Sequence, residues 1–173
     1  MGEIDRRQFA VGATSTGFLG GMFDYPRVGK PAPPFTIVTF DHRAIKLTDL
    51  AGKVVVLNFW ATWCAPCKVE LPMLDAYVRR HRSDDLHLFA VATEDSVPNS
   101  KLQPLANTLS FPLATRIAGP GYGPIAGAAP TNFVIDKAGV VRYADKGAFT
   151  ESAFAALIRP LVAAPAPGGA STT

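Results

Sequence analysis

Two short apolar runs enclose a segment with helical spacing near the middle of the chain. Residues 54–59 and 86–92 are rich in apolar and β-branched side chains, a pattern typical of buried strands. Between them, residues 65–80 place Val69, Met73, Leu74 and Tyr77 on one stripe of a helix. The pattern therefore predicts a strand, a helix and a second buried strand at the centre of the fold.

Weaker patterns on both sides complete the predicted architecture. The further elements expected are strands at 35–40 and 44–47, a helix at 96–109 interrupted at Pro104, a strand at 111–114, a hairpin from 133–136 and 140–143, and an amphipathic helix at 150–162. The predicted fold class is α/β, with a central mixed β-sheet flanked by helices and an added amino-terminal β-hairpin.

The two ends of the chain differ in composition from this centre. Residues 1–27 contain Arg6 and Arg7 before a Gly- and Thr-rich stretch, and resemble a twin-arginine export signal. The stretch is too short and too polar for a membrane span, which needs about 18 or more apolar residues. We interpret 1–27 as such a signal or as a disordered extension, 28–162 as one domain, and 163–173 as a disordered tail rich in Pro, Gly and Ala.

Composition narrows the possible partners. The chain has 173 residues, of which 48% are hydrophobic, enough for one sizeable core. Its net charge is only +3 and no basic run interleaved with aromatic residues is present, which argues against a nucleic-acid surface. We expect a monomer that acts on other proteins.

Cys64 and Cys67 carry the candidate chemistry. They are the only cysteines, and a disulfide between them closes a loop too short to stabilise the fold appreciably. Cys64 lies at the predicted start of the helix, where free backbone N–H groups and the helix dipole favour a thiolate. A cysteine pKa of about 8.5 falls to roughly 3.5–7.5 in such sites. We expect Cys64, at the exposed helix start, to attack a disulfide and Cys67, a turn deeper, to resolve the product.

Two other interpretations of the cysteine pair are a metal half-site and a pair of inert buried thiols. A tetrahedral zinc site needs about four ligands. His42, His81 and His87 are the only histidines, and none has ligand spacing from the cysteines. We therefore expect no metal, and no cofactor other than a redox-active disulfide.

The segment Trp63-Cys64-Ala65-Pro66-Cys67, with Pro72 five residues beyond, resembles the active site of the thioredoxin superfamily. Within this superfamily, the sequence resembles the TlpA/ResA/CcmG thiol-disulfide oxidoreductases. The resemblance lies in Asn58 on the preceding strand and in Glu70, which ends a Cys-Lys-x-Glu run. The resemblance covers roughly residues 28–162. It implies protein thiols and disulfides as substrates, a membrane or periplasmic electron donor, and a pathway such as cytochrome c maturation or copper-site assembly.

The resemblance also implies roles for further residues. Pro130 would follow a cis peptide bond and face the cysteine pair, which leaves the backbone of Ala129 free to pair with an extended substrate. Trp63 would also contact the substrate, while Pro66 and Asn58 would support the site. The chain departs from the family in a loop two residues longer, at 122–130, and in Asn132, which replaces a usual threonine. An ordinary trans proline that opens a strand is the alternative for Pro130.

Glu70 is expected to tune proton transfer at the cysteines. It lies three residues after Cys67 on the same helix, and burial there would raise the pKa of its carboxyl group. The alternative is an exposed glutamate in a weak ion pair.

A rival enzyme class is a thiol peroxidase of the peroxiredoxin type, which shares the thioredoxin fold. Its reactive cysteine follows a Pro-x-x-x-Thr run, and no proline occurs at residues 57–63, before Cys64. The sequence therefore favours a thiol-disulfide oxidoreductase that reduces protein disulfides outside the cytoplasm. A redox-inert or metal-carrying binding module, and a cytoplasmic location, are the remaining alternatives.

Overall fold

The computed structural model describes residues 25–168 and contains seven strands and three helices in that range. The strands are β1 (Thr36–Thr39), β2 (Ala44–Lys46), β3 (Val54–Trp60), β4 (Leu86–Ala92), β5 (Leu113–Ala118), β6 (Thr131–Ile135) and β7 (Val141–Lys146). The helices are α1 (Ala65–Arg80), α2 (Asn99–Thr108) and α3 (Glu151–Ala163). Short 3-10 turns occur at Leu47–Leu50 and Ile125–Gly127.

All seven strands form one mixed sheet in the order β2-β1-β5-β4-β3-β6-β7. The central pairs β3–β4 and β4–β5 are parallel, whereas β1–β2, β1–β5, β3–β6 and β6–β7 are antiparallel. The α/β fold class is confirmed, and the two predicted hairpins lie at opposite edges of the sheet. The cysteine-bearing helix thus follows a strand that is paired on both sides.

The two faces of the sheet have different covers. One face, called here the cysteine face, receives buried side chains from all three helices, among them Leu74, Leu102 and Phe154. The opposite face is packed by Phe59, Phe133 and other apolar residues of the sheet, and by residues such as Leu50 from the 3-10 turn. Within residues 25–168, no helix contributes to the buried cluster on that opposite face.

The inner stripe of α1 differs from the predicted one. Val69 is 74% exposed and Met73 only half-buried, whereas Cys67, Glu70, Leu71, Leu74 and Tyr77 are buried. Because Cys67 and Glu70 both face the sheet, Val69 faces the solvent. The prediction of Val69 as a core residue was wrong because a charged residue occupies a core position that the apolar pattern assigned to its neighbour.

Two further boundaries differ from the expected ones. Helix α2 begins at Asn99 and continues through Pro104, so the predicted interruption is wrong. Pro104 lacks one N–H, but Leu102 and Leu105 on either side pack onto the cysteine face and hold the turn. Strand β5 begins only at Leu113 and extends to Ala118, because β1 pairs with this later stretch.

The predictions for the termini are largely outside the described residues. This applies to the export signal with Arg6 and Arg7 and to residues 169–173 of the expected tail. Helix α3 ends at Ala163, and Lys137 Nζ donates to the carbonyls of Val162 at 2.7 Å and Ala164 at 2.8 Å. In residues 25–168, no helix combines the length and the apolar character that a membrane span requires.

Candidate active site

The cysteines lie between the end of β3 at Trp60 and the first turn of α1, where Cys64 is the N-cap residue. Cys64 and Cys67 form a disulfide, with their Cα atoms 5.3 Å apart. The N–H of Cys67 donates to Cys64 Sγ over 3.2 Å. The Cys64 sulfur thus lies at the positive end of the helix dipole and accepts an N–H that has no partner within the helix. This environment stabilises a thiolate when the disulfide is reduced.

The exposure of the sulfurs differs from the expected one. Cys64 is only 2% exposed and Cys67 is fully buried, so the expectation of an exposed Cys64 is wrong for the disulfide form. Trp63 is 67% exposed, and Pro66 is exposed as the second residue of α1. A missing N–H has no cost at that position. Trp63 and the first turn of α1 thus form the exposed surface around the buried sulfurs.

The loop before Cys64 is held by residues that follow β4. Both the N–H and the hydroxyl of Thr93 donate to the carbonyl of Trp60, at 3.0 and 3.1 Å. The Glu94 carboxylate accepts the N–H of Thr62. Sequence reasoning missed these two residues. The available signal was their position directly after a strand parallel to β3, since parallel strands end at the same edge of a sheet.

Glu70 is 1% exposed and accepts three N–H bonds. The donors are Asn58 Nδ2 at 2.8 Å, Asn132 Nδ2 at 2.9 Å and the backbone N–H of Phe149 at 2.8 Å. Burial raises the pKa of the Glu70 carboxyl group, and the three donated bonds act against this rise. The alternative of an exposed glutamate in a surface ion pair is wrong, because the side chain lies against the sheet.

Two asparagines connect Glu70 to the sheet. Asn58 on β3 and Asn132 on β6 are directly opposite in the antiparallel register, and Asn58 Nδ2 also donates to Asn132 Oδ1 at 2.8 Å. Asn132 Nδ2 additionally reaches the carbonyl of Gly147 at 3.3 Å. Asn58 was predicted as a supporting residue. Asn132 was noticed only as a departure from the family pattern, and its contact with Glu70 was not foreseen.

The peptide bond between Ala129 and Pro130 is cis, so the trans alternative is wrong. The Pro130 carbonyl accepts the N–H of Gly147 at 2.8 Å. Among the hydrogen bonds of residues 25–168, none engages the N–H or carbonyl of Ala129. Ala129 packs against the same buried cluster that contains both cysteines. These two backbone groups, at the residue before Pro130, are available to hydrogen-bond an extended polypeptide.

The predicted site residues therefore converge at one end of the cysteine face. Cys64, Cys67 and Glu70 lie on α1 or at its start, Asn58 lies beneath them on β3, and Pro130 immediately precedes β6. Over the described range, no three His, Cys, Asp or Glu side chains cluster as metal ligands. The arrangement supplies a dithiol or disulfide, a buried carboxylate on the same helix and an exposed Trp63 ring beside Cys64 in the sequence.

Comparison with known sequences places this geometry among thiol-exchanging proteins. A sequence profile of the AhpC/TSA family matches residues 28–144. A thiol-disulfide oxidoreductase ResA from Bacillus cereus is 37% identical over 123 residues, which are 66% of this chain and 67% of the relative. The thioredoxin-like protein YneN of Bacillus subtilis is 32% identical over 126 residues, covering 71% and 74% of the two chains.

Comparison with solved structures agrees. A thiol:disulfide interchange protein of the thioredoxin family from Chlorobium tepidum aligns with a TM-score of 0.63 and 29% identity, over 77% of this chain and 96% of the other. A second protein from Chlorobium tepidum, described as a putative thiol:disulfide interchange protein DsbE, aligns with a TM-score of 0.65 and 26% identity, over 79% and 99%. These neighbours confirm the thioredoxin-like fold.

Proposed function

The chain belongs to the AhpC/TSA family and is a thiol-disulfide oxidoreductase of thioredoxin-like fold, and we propose that it reduces disulfide bonds of proteins outside the cytoplasm. The observation that carries the proposal is the Cys64–Cys67 disulfide at the first turn of α1, with the Cys67 N–H directed at Cys64 Sγ. A sulfur at a helix start is a good nucleophile as a thiolate and a good leaving group in a disulfide.

Each turnover exchanges one disulfide for another. The Cys64 thiolate attacks one sulfur of the substrate disulfide, forms a mixed disulfide and releases the other substrate sulfur as a thiolate, which takes up a proton. Cys67 then loses its proton and attacks Cys64 Sγ, so that the Cys64–Cys67 disulfide forms and the second substrate thiol leaves. The substrate gains two electrons, and a dithiol protein in the membrane or periplasm returns them to the cysteine pair.

Glu70 is the proposed acceptor of the Cys67 proton. It is buried three residues beyond Cys67 on the same face of α1. Its negative charge also opposes a thiolate at the pair. Glu70→Gln should therefore lower the Cys64 pKa, measured by thiolate absorbance, and slow release of the mixed disulfide at neutral pH. If both quantities match the unmodified protein across pH, Glu70 has no such role.

Trp63, Ala129 and Pro130 are the proposed substrate contacts. The exposed Trp63 ring and the unpaired backbone of Ala129 support this role, since an extended peptide can pair with free backbone groups beside the sulfurs. The substrates proposed are exported proteins with paired cysteines, such as the Cys-x-x-Cys-His haem-attachment segments of c-type cytochromes.

A redox titration and a trapping variant test the activity. The thiols of the unmodified protein should exchange reversibly with a dithiothreitol or glutathione buffer at one defined potential. Cys67→Ser should accumulate mixed disulfides with its substrates, whereas Cys64→Ser, the matched control, should accumulate few. Limited alkylation of the reduced protein should modify Cys64 first. Preferential alkylation of Cys67 would reverse the two roles, and the absence of exchange would contradict the function.

Export is tested separately from chemistry. The arginine pair before an apolar stretch supports a twin-arginine-type signal. Changing both Arg6 and Arg7 to lysine should leave the protein in the cytoplasm on cell fractionation, with its redox titration unchanged. An unaltered distribution between fractions would contradict this route.

A further inference from the structure

The buried carboxylate of Glu70 is surrounded by donors from three separate parts of the fold. Asn58 Nδ2 on β3 bonds Oε2 at 2.8 Å, while Asn132 Nδ2 on β6 and the N–H of Phe149 both bond Oε1, at 2.9 and 2.8 Å. Within residues 25–168, three donors and no acceptor therefore hydrogen-bond the carboxyl group. A protonated carboxyl group also needs an acceptor for its own O–H, so this arrangement matches the ionised form.

Neighbouring groups determine the orientation of the Asn132 amide. Its Nδ2 lies between two acceptors, Glu70 Oε1 and the Gly147 carbonyl at 3.3 Å, and its Oδ1 accepts from Asn58. A reversed amide would direct Oδ1 at the carboxylate and at the carbonyl and would lose all these bonds. Asn132 is thus a fixed donor that links β6, β3 and the β7–α3 connection to Glu70.

We propose that Asn132 is a positioning residue, which together with Asn58 holds the Glu70 carboxylate ionised and oriented beside the cysteine pair, ready to accept the proton of Cys67. This inference rests on the proposed function of Glu70. A threonine at this position would have its hydroxyl one bond closer to the backbone than Asn132 Nδ2, so asparagine supplies the longer donor.

Charged groups around Glu70 do not replace these amide donors. Within residues 25–168, no Lys, Arg or His forms an ion pair with Glu70. Lys68 on α1, and Asp145 and Lys146 on β7, are exposed, and Glu151 on α3 pairs with Arg80. The pKa of Tyr143 on β7 is raised, mainly by burial and to a smaller extent by the negative charges of Asp145 and Glu70. The hydrogen-bond donors are therefore the groups that offset the burial of the charge.

The consequence appears in the pH dependence of mixed-disulfide release. Release should slow as the pH falls and Glu70 becomes protonated. Loss of the Asn132 donor destabilises the carboxylate, so Glu70 becomes protonated at higher pH. A hydrogen bond to a charged group is worth enough to move the acid limb of the profile upward by about one pH unit, which is about a tenfold slower release on that limb.

The test uses Asn132→Leu, which removes the donor at similar volume, and Asn132→Thr, which shortens it and is a milder change if the leucine variant does not fold. Asn107→Leu is the matched control, since Asn107 is an exposed asparagine on α2 that bonds Gln103. Two quantities are measured in the full chain. They are the release rate against pH and, in the disulfide form, the carbon-13 NMR titration of the Glu70 carboxyl group, assigned by its loss in Glu70→Gln.

In the Asn132 variants, we expect the acid limb of the release profile and the NMR titration of Glu70 both to move to higher pH. In Asn107→Leu, both should stay unchanged. In a Glu70→Gln background, Asn132→Leu should have no further effect on the pH profile, whereas a merely structural role would persist there. Unchanged NMR titration of Glu70 in the Asn132 variants overturns the proposal. If Glu70→Gln shifts the release profile and the Asn132 variants do not, the inference fails while the role of Glu70 stands. If Glu70→Gln has no effect either, the role of Glu70 fails first.

Discussion

Alternate side chains of strand β3 point to opposite faces of the sheet, and the two faces differ in the kind of residue they bury. Val55, Leu57 and Phe59 point to the opposite face, where they join a cluster of buried apolar residues. Asn58 and Trp60, which alternate with them, point to the cysteine face. The opposite face stabilises the sheet with apolar contacts, whereas the cysteine face also holds a charged group and its donors.

This difference is visible in the polar atoms. In residues 25–168, the buried side-chain atoms without a hydrogen-bond partner are Asn58 Oδ1 and Trp60 Nε1, and both belong to the cysteine-facing side of β3. An unpartnered buried polar atom and a buried carboxylate each reduce stability. The buried polar groups of the cysteine face therefore reduce stability close to the cysteine pair. Local destabilisation of this kind is common at functional sites.

The largest expected effect comes from removing a buried aromatic side chain from the opposite face of the sheet. Phe133 is fully buried and makes edge contacts with Phe59 and Tyr122, with ring centroids 5.7 and 5.6 Å apart. Phe133→Ala should lower the free energy of unfolding by about 3–5 kcal/mol, through lost transfer energy and a residual cavity. Urea unfolding of the disulfide form measures this change.

Phe133→Leu is the control, since it retains more apolar volume and should lose less stability. Its cysteine alkylation rate against pH should match that of the unmodified protein. A shifted alkylation profile in this folded variant would show that the two faces are coupled, and would contradict the division of roles between them.

A second prediction concerns the stability cost of the Glu70 charge. Burial raises the pKa of Glu70, so near that pKa the folded state binds more protons than the unfolded state. Stability should therefore fall as the pH rises from the ordinary glutamate value through the raised one, by about 1.4 kcal/mol for each unit between the two. Glu70→Gln should lack this component.

Urea unfolding of the disulfide form at a series of pH values measures this fall without titrating thiols. Glu151→Gln is the control, because Glu151 is an exposed glutamate that pairs with Arg80. Parallel stability curves for Glu70→Gln and the unmodified protein would mean that the pKa of Glu70 is the same in the folded and unfolded states.

The parts of the fold that follow from local patterns were predictable from the sequence. The runs that form β3 and β4, the α1 segment and the two hairpins each carry their own periodicity and turn residues. The cysteine pair was recognisable as reactive because a loop of two residues gives a disulfide no structural purpose. These features depend on neighbours in the sequence.

The environment of Glu70 was not predictable in the same way. Asn132 and Phe149, which donate to it, are 62 and 79 residues away along the chain. A backbone N–H such as that of Phe149 has no signature in the sequence. Glu70 also explains the wrong prediction for Val69, because a glutamate occupies the core position that the apolar pattern assigned to the neighbouring valine. Polar groups in a core are specified by tertiary partners, so they disturb the periodicity that sequence reasoning uses.

The smallest expected effect concerns the start of α3, where the residue before the helix cap hydrogen-bonds Glu70. Thr150 is the N-cap of α3, and its hydroxyl oxygen accepts the N–H of Ala153 at 3.2 Å. The preceding residue, Phe149, donates its own N–H to Glu70. Thr150→Ala should lower the free energy of unfolding by about 1 kcal/mol, because a helix donor loses its partner.

The same substitution should loosen the Phe149 donor and move the acid limb of mixed-disulfide release upward, by less than the Asn132 variants do, since the Phe149 N–H itself remains. Thr150→Ser retains the capping oxygen and should restore both stability and the release profile. The two measurements are urea unfolding and release rate against pH. A loss of stability with an unmoved acid limb would show that the start of α3 does not influence Glu70, and would leave Asn58 and Asn132 as the donors that determine its charge.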